Sequence, residues 1–202
     1  GLEHEYYVVI PADYDPERRY GVRFFLHGGV QRPRWNAGGE WWRNPGRVTG
    51  SGWISVFPSS WNESLWSQAS QVENLAAILE NLKRRYNVDE NRVHLLGFSD
   101  GGAGVFFQAF RSTTPWAGYL SFISNPAVLS NPDLSVDGQM HVLNVTNKPM
   151  FVVTGGLDRL YPTHEVSPFL EVFDRAGAEI VFRPQPNAGH DIDWWPAEAT
   201  RI

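Results

Sequence analysis

The chain has no cysteine. That removes disulfides, thiolate metal ligands and a cysteine nucleophile together, and it leaves the compartment open. It also has no long apolar run, and no stretch approaches the ~20 residues that a membrane-spanning helix needs. Charge of neither sign accumulates: 17 Lys and Arg stand against 22 Asp and Glu, a net charge of −5 spread along the chain. There is no basic cluster to hold nucleic acid and no charge block to mark a disordered tail. Internal repeats, low-complexity tracts and interdomain linkers are missing too, so residues 1–202 read as a single domain. No signal peptide is visible, and the sequence opens at Gly1 rather than Met. It therefore reads as a piece of a longer precursor or larger protein, with room for further domains outside it, and its localisation stays unknown.

What the chain does have in abundance is tryptophan, nine residues in all. Trp35, Trp41, Trp42, Trp61, Trp66, Trp194 and Trp195 fall in loop-like sequence. Any single one reads first as core or lid packing. As a group they suit an aromatic-walled pocket, with Trp41, Trp42, Trp194 and Trp195 the candidates to line it.

Strand-like and helix-like segments alternate, which predicts an α/β fold with a mainly parallel sheet flanked by helices on both faces. Strands are expected at Tyr6–Ile10, Val22–Leu26, Trp53–Phe57, Val93–Leu96, Tyr119–Ile123, Met150–Val153 and Ile180–Phe182. Val72, Leu75, Ala76, Leu79, Leu82 and Tyr86 follow a helical stripe, with Ser70 and Glu73 at capping-box spacing before it. A second helix is expected over Ala103–Phe110, and a third from Ser167-Pro168 to Gly177. Residues 125–149 carry three prolines and no clear period, and read as a long connection over the domain.

In open parallel sheets, ligands bind beyond the carboxyl ends of the strands. Four of those ends are chemically suggestive here. Gly97-Phe98-Ser99-Asp100-Gly101 has the G-x-S-x-G pattern between a strand and a helix, which places a serine on a tight turn with its hydroxyl above the sheet. A plain strand-to-helix connector is the bland alternative. A phosphate loop is disfavoured because no lysine follows the glycines at Walker spacing. A serine hydroxyl needs a base. His190, in Asn187-Ala188-Gly189-His190-Asp191 after the last strand, fits that role better than His4, His94, His141 or His164. The imidazole needs an acid to fix its tautomer. Asp158, in Thr154-Gly155-Gly156-Leu157-Asp158, is placed for it, with Asp191, Asp193 and Glu165 as alternatives. The oxyanion of a tetrahedral intermediate needs backbone donors. The amides of Asp100 and of Gly29, in His27-Gly28-Gly29, are the candidates, with Val30 the alternative to Gly29. Asp100 matters there for its amide more than for its carboxylate.

FLHGG, LGFSDGGAG, TGGLDRLYP and NAGHD, spread over nearly the whole chain, resemble the α/β-hydrolase superfamily. Within it they look like the phospholipase/carboxylesterase branch and the polyhydroxybutyrate depolymerase and feruloyl esterase group. The resemblance implies an α/β-hydrolase fold, cut short at both ends, and hydrolysis of carboxylic esters through Ser99, Asp158 and His190, with no metal or organic cofactor. The substrate would be a small-molecule or sugar-linked ester. The serine motif with its trailing Gly102 is also similar to that of prolyl-oligopeptidase-type peptidases, so a serine peptidase is a rival reading. A non-catalytic binding domain that keeps the fold is another. Secreted members of the esterase groups often carry disulfides, and this chain cannot.

Overall fold

The computed structural model describes residues 2–36, 52–113, 115–132 and 137–195. Seven strands form one sheet: β1 (Tyr6–Val9), β2 (Tyr20–Leu26), β3 (Trp53–Pro58), β4 (Val88–Phe98), β5 (Gly118–Phe122), β6 (Met150–Gly155) and β7 (Ile180–Gln185). Their order is β1-β3-β2-β4-β5-β6-β7. β1 runs antiparallel to β3, and every other pairing is parallel. Among the described residues, three helices, α1 (Ala69–Arg85), α2 (Asp100–Arg111) and α3 (Thr163–Arg175), connect the parallel strands.

The alternation of side chains along the strands builds two cores. Val22, Phe24 and Leu26 of β2, Ile54 and Val56 of β3, and Val93 and Leu95 of β4 point to one face. There they meet Leu75, Ile78 and Leu79 of α1, Val105 and Phe106 of α2, and Val166, Leu170 and Phe173 of α3. Phe25, Phe57, Leu96, Phe98, Leu120, Phe122 and Val153 point to the other face, where Trp195 packs on them. Among the described residues, all three helices bury their side chains in the first core and none in the second.

Two helix starts differ from the expectation. The cap of α1 is Gln68, not a Ser70–Glu73 box. Ser70 instead bonds the Ser64 hydroxyl (2.9 Å), so its oxygen is spent on the preceding loop. α3 begins at Thr163, four residues before Ser167, and carries Pro168 inside it. That proline forgoes one intrahelical hydrogen bond. Anchors upstream outweigh it: the Leu160 and Tyr161 amides bond Asp158 Oδ1, Thr163 bonds Thr154, and Val166 is fully buried. The described part of the connection after β5 carries two short 3₁₀ turns, Pro126–Ser130 and Val142–Val145, which sink Leu129 and Val145 into the first core.

Candidate active site

β4 delivers Ser99 directly after its last residue, and α2 starts at Asp100. The reversal is tight. A β-carbon on Gly97 would lie 2.1 Å from the carbonyl oxygen of Gly101, and one on Gly101 would lie 2.0 Å from that of Leu26. Both contacts are with backbone, so neither position accepts any side chain. Ser99 absorbs the rest of the turn with φ 55° and ψ −120°. These are the angles of the first central residue of a type II′ turn, a conformation that suits glycine. Its backbone is held by its amide on the Phe122 carbonyl (3.0 Å) and its carbonyl on the Ala103 amide (3.0 Å).

The four strand ends converge. His190 Nε2 lies 2.9 Å from Ser99 Oγ, and His190 Nδ1 lies 2.8 Å from Asp158 Oδ2. Asp158 is buried (2% exposed), and its Oδ1 accepts from the Leu160 (2.8 Å) and Tyr161 (3.0 Å) amides. A carboxylate only accepts, so the His190 proton sits on Nδ1, and Nε2 presents a lone pair to the serine. The loops that carry the acid and the histidine interlock backbone to backbone. A β-carbon on Gly155 would fall 2.4 Å from the Gly189 carbonyl oxygen, and the Leu157 amide donates to the Ala188 carbonyl (2.9 Å).

The alternative acids do not reach the imidazole. Asp191 Oδ2 accepts from the Gly189 amide (3.0 Å) and its Oδ1 from the Asp193 amide (3.2 Å), so its carboxylate shapes the histidine loop. Glu165 sits in the first turn of α3, and Asp193 is exposed.

Gly29 has φ 65°, a turn that brings the chain back toward α2. Neither the Gly29 amide nor the Asp100 amide donates to another group among the described residues. The Val30 amide does: it donates to Asp100 Oδ2 at 3.0 Å. The Asp100 carboxylate thus has a place in the site, tying the loop after β2 to the residue that follows Ser99. Of the two candidates on that loop, Gly29 keeps its donor and Val30 has spent it.

His27, read from sequence as part of a turn, is the brace under that loop. It is buried (1% exposed). Nε2 accepts from the Ser60 amide (3.0 Å), which leaves Nδ1 to donate to the Gly28 carbonyl (2.8 Å). The Trp66 indole donates to the His27 carbonyl (2.9 Å) and stands edge-on to the imidazole. Burial pushes the His27 pKa down to about 4, so the ring is neutral and its two hydrogen bonds hold near neutral pH.

A cleft of about 540 Å³ opens over Ser99, a size suited to a small-molecule ligand. Its walls include Gly29, Arg32, Ile123, Leu160, Tyr161 and Ile192. A more enclosed cavity of about 120 Å³ lies beside it, with Leu65, Trp66, Ala103 and Leu129 among its lining residues. Asp100 and Tyr161 border both spaces. Arg32 carried no signal in the sequence, and Leu160 and Tyr161, inside the TGGLDRLYP motif, were given no role of their own. Trp41 and Trp42 lie outside the described residues. Trp195 is buried (5% exposed) against Phe98 and Phe122 in the second core. Trp194 packs on Phe122 and donates its indole N–H to the Asp191 carbonyl (2.8 Å). Neither of these two is among the residues that line the cleft. Among the described residues no group of His, Asp and Glu is arranged to hold a metal ion, and no helix is long and apolar enough to cross a membrane.

No protein-family model matches the sequence, and no curated protein matches it. Solved structures match the fold. A thermostable esterase superposes with a TM-score of 0.70 at 21% identity, over 91% of this chain and 51% of its own. A ferulic acid esterase gives 0.74 at 18% identity, over 98% of this chain and 90% of its own. An acylaminoacyl peptidase from Pyrococcus horikoshii gives 0.69 at 14% identity, over 95% of this chain and 36% of its own. The chain spans about half the length of the first of these. The architecture is therefore the α/β-hydrolase fold, as the four sequence motifs implied.

Proposed function

We propose that this chain is a serine hydrolase that cleaves carboxylic esters through an acyl-enzyme. The observation that carries the reading is the unbroken line Ser99 Oγ, His190 and Asp158, set on a strained turn at the mouth of a cleft. Ser99 Oγ attacks the ester carbonyl carbon while His190 Nε2 takes the hydroxyl proton. Asp158 keeps the imidazole in the required tautomer and stabilises the imidazolium. The carbonyl oxygen, now negative, lies between the Gly29 and Asp100 amides. The second of these stands at the N-terminus of α2, where the helix dipole favours negative charge. When the tetrahedral intermediate collapses, the carbon–alkoxy bond breaks and His190 returns its proton to the departing alcohol. Water then attacks the acyl-enzyme by the same route, releasing the acid and restoring the serine. Every proton moves between groups of this chain, substrate and water, so the cycle calls for no metal or organic cofactor.

Two further sequence expectations belong here. A small-molecule or sugar-linked ester suits the size of the cleft. Trp41 and Trp42 remain candidates to bind it, whereas Trp194 and Trp195, packed on the second core, would act only through the loop that carries His190.

A fluorophosphonate probe tests the reading. The native protein should label at Ser99 and the Ser99→Ala variant should not; absent or equal labelling overturns it and favours a non-catalytic domain. The likeness to an acylaminoacyl peptidase supports a second reading, a serine peptidase, on the same fold. Parallel assay on p-nitrophenyl esters and chromogenic peptides separates the two.

A further inference from the structure

Arg32 stands beside Gly29 of the candidate oxyanion site with no side-chain partner among the described residues. A β-carbon built on Gly29 would lie 3.4 Å from Arg32 Cζ, 3.4 Å from Nε and 3.5 Å from Nη2. Three guanidinium atoms at one distance mean that the plane of the group faces Gly29, the residue whose amide is the proposed oxyanion donor. The backbone beneath it is anchored, because the Arg32 carbonyl accepts from the Asn62 amide (3.0 Å). Yet the side chain forms no ion pair and no hydrogen bond with any described residue. Its neighbour Arg34 differs: it pairs with Glu3 and lies over the Trp61 ring.

The acids around the cleft are engaged by backbone amides and His190 rather than by this cation. Asp100 gives an oxygen to the Val30 amide, Asp191 gives both of its oxygens to loop amides, and Asp158 is enclosed by two amides and His190. The Arg32 guanidinium therefore keeps its five N–H donors free of any described partner, in a planar fork that matches a carboxylate. Ile123, Leu160 and Ile192 line the same cleft, so the cation shares it with apolar side chains.

We infer that Arg32 is a specificity-determining residue, and that the substrate is an ester bearing a free carboxylate, bound by the Arg32 guanidinium while the ester carbonyl sits between Gly29 and Asp100. The inference rests on the hydrolase reading above and narrows its substrate class.

The test uses matched pairs of esters. On the acyl side, 4-nitrophenyl hemiadipate carries a carboxylate and 4-nitrophenyl hexanoate does not. On the alcohol side, 3-carboxyphenyl butyrate is compared with the neutral 3-carbamoylphenyl butyrate. The measured quantity is the ratio of kcat/KM, charged over neutral, within each pair. Arg32→Gln should lower that ratio about five- to tenfold in one pair, a range set by a charge-assisted contact in a partly solvated cleft. Arg32→Lys should fall between the two proteins. Raising the salt to 0.5 M should shrink the ratio of the native protein more than that of Arg32→Gln. Ratios that Arg32→Gln leaves within twofold in both pairs overturn the inference. Fluorophosphonate labelling of the same preparations keeps the two readings apart. Labelling with unchanged ratios sinks the role of Arg32 alone, whereas no labelling sinks the hydrolase reading and the inference with it.

Discussion

Replacing Ser99 by glycine should destroy activity and stabilise the protein against the alanine variant at the same position. Ser99 is held at φ 55° and ψ −120°. For a residue with a β-carbon such a backbone costs on the order of 1–3 kcal/mol. Glycine does not incur that cost, but its freer unfolded chain takes back about 0.5–1 kcal/mol. Alanine is the right reference. It removes the hydroxyl and the bond to His190, as glycine does, and keeps the β-carbon that causes the strain. Ser99→Gly should therefore exceed Ser99→Ala by about 0.5–2 kcal/mol in urea unfolding. In a domain of this size that difference raises Tm by roughly 2–6 °C. Neither variant should turn over an ester. If Ser99→Gly proves no more stable than Ser99→Ala, the turn holds no strain. The argument that the fold spends stability to aim this serine then fails.

Asp158→Asn should fold, because its amide oxygen can still accept from Leu160 and Tyr161. The amide nitrogen would then face His190 Nδ1 as a donor, forcing the ring proton onto Nε2. A loss in kcat of about 10³–10⁴ is expected, with an unchanged far-UV spectrum; a loss below tenfold refutes the tautomer argument. Stability should fall in acid through His27, whose folded pKa of about 4 lies below its ordinary 6.5. The sign follows: the unfolded state takes up the proton first, so the contribution is complete above pH 6.5 and drains away as pH falls to 4. The drain is about 1.4 kcal/mol per pH unit. Urea midpoints from pH 7 to 4.5 measure it, and a His27 ring signal titrating near 6.5 contradicts it.

The three residues of the proposed triad were legible because each stands at a strand end beside glycines, a pattern that survives in one dimension. The positions of the strands along the chain were readable from periodicity; their order in the sheet was not. What the sequence hid was contact between distant residues. Asp100 meets the Val30 amide across 70 positions, and no local spacing announces that pairing. His27 and Trp66 support each other across 39 positions. Ser70 and Glu73 had the spacing of a cap, but Ser64 took the hydroxyl. Pro168 had the look of a first turn, but anchors before it had already started α3. The tryptophans misled by type: Trp195 gains more from the second core, against Phe98 and Phe122, than from an open cleft.

The bond between the Asp100 carboxylate and the Val30 amide has a consequence for anyone reshaping this protein. In a G-x-S-x-G turn the residue after the serine looks like a free variable, contributing only its backbone. Here its side chain is a strut to the opposite loop. A library diversified at position 100 would therefore also vary the posture of Gly29, and with it the setting of Arg32. Selectivity and turnover would drift together in its members. Separating them means leaving Asp100 alone and drawing diversity from Leu160, an exposed side chain that lines the cleft outside both cores.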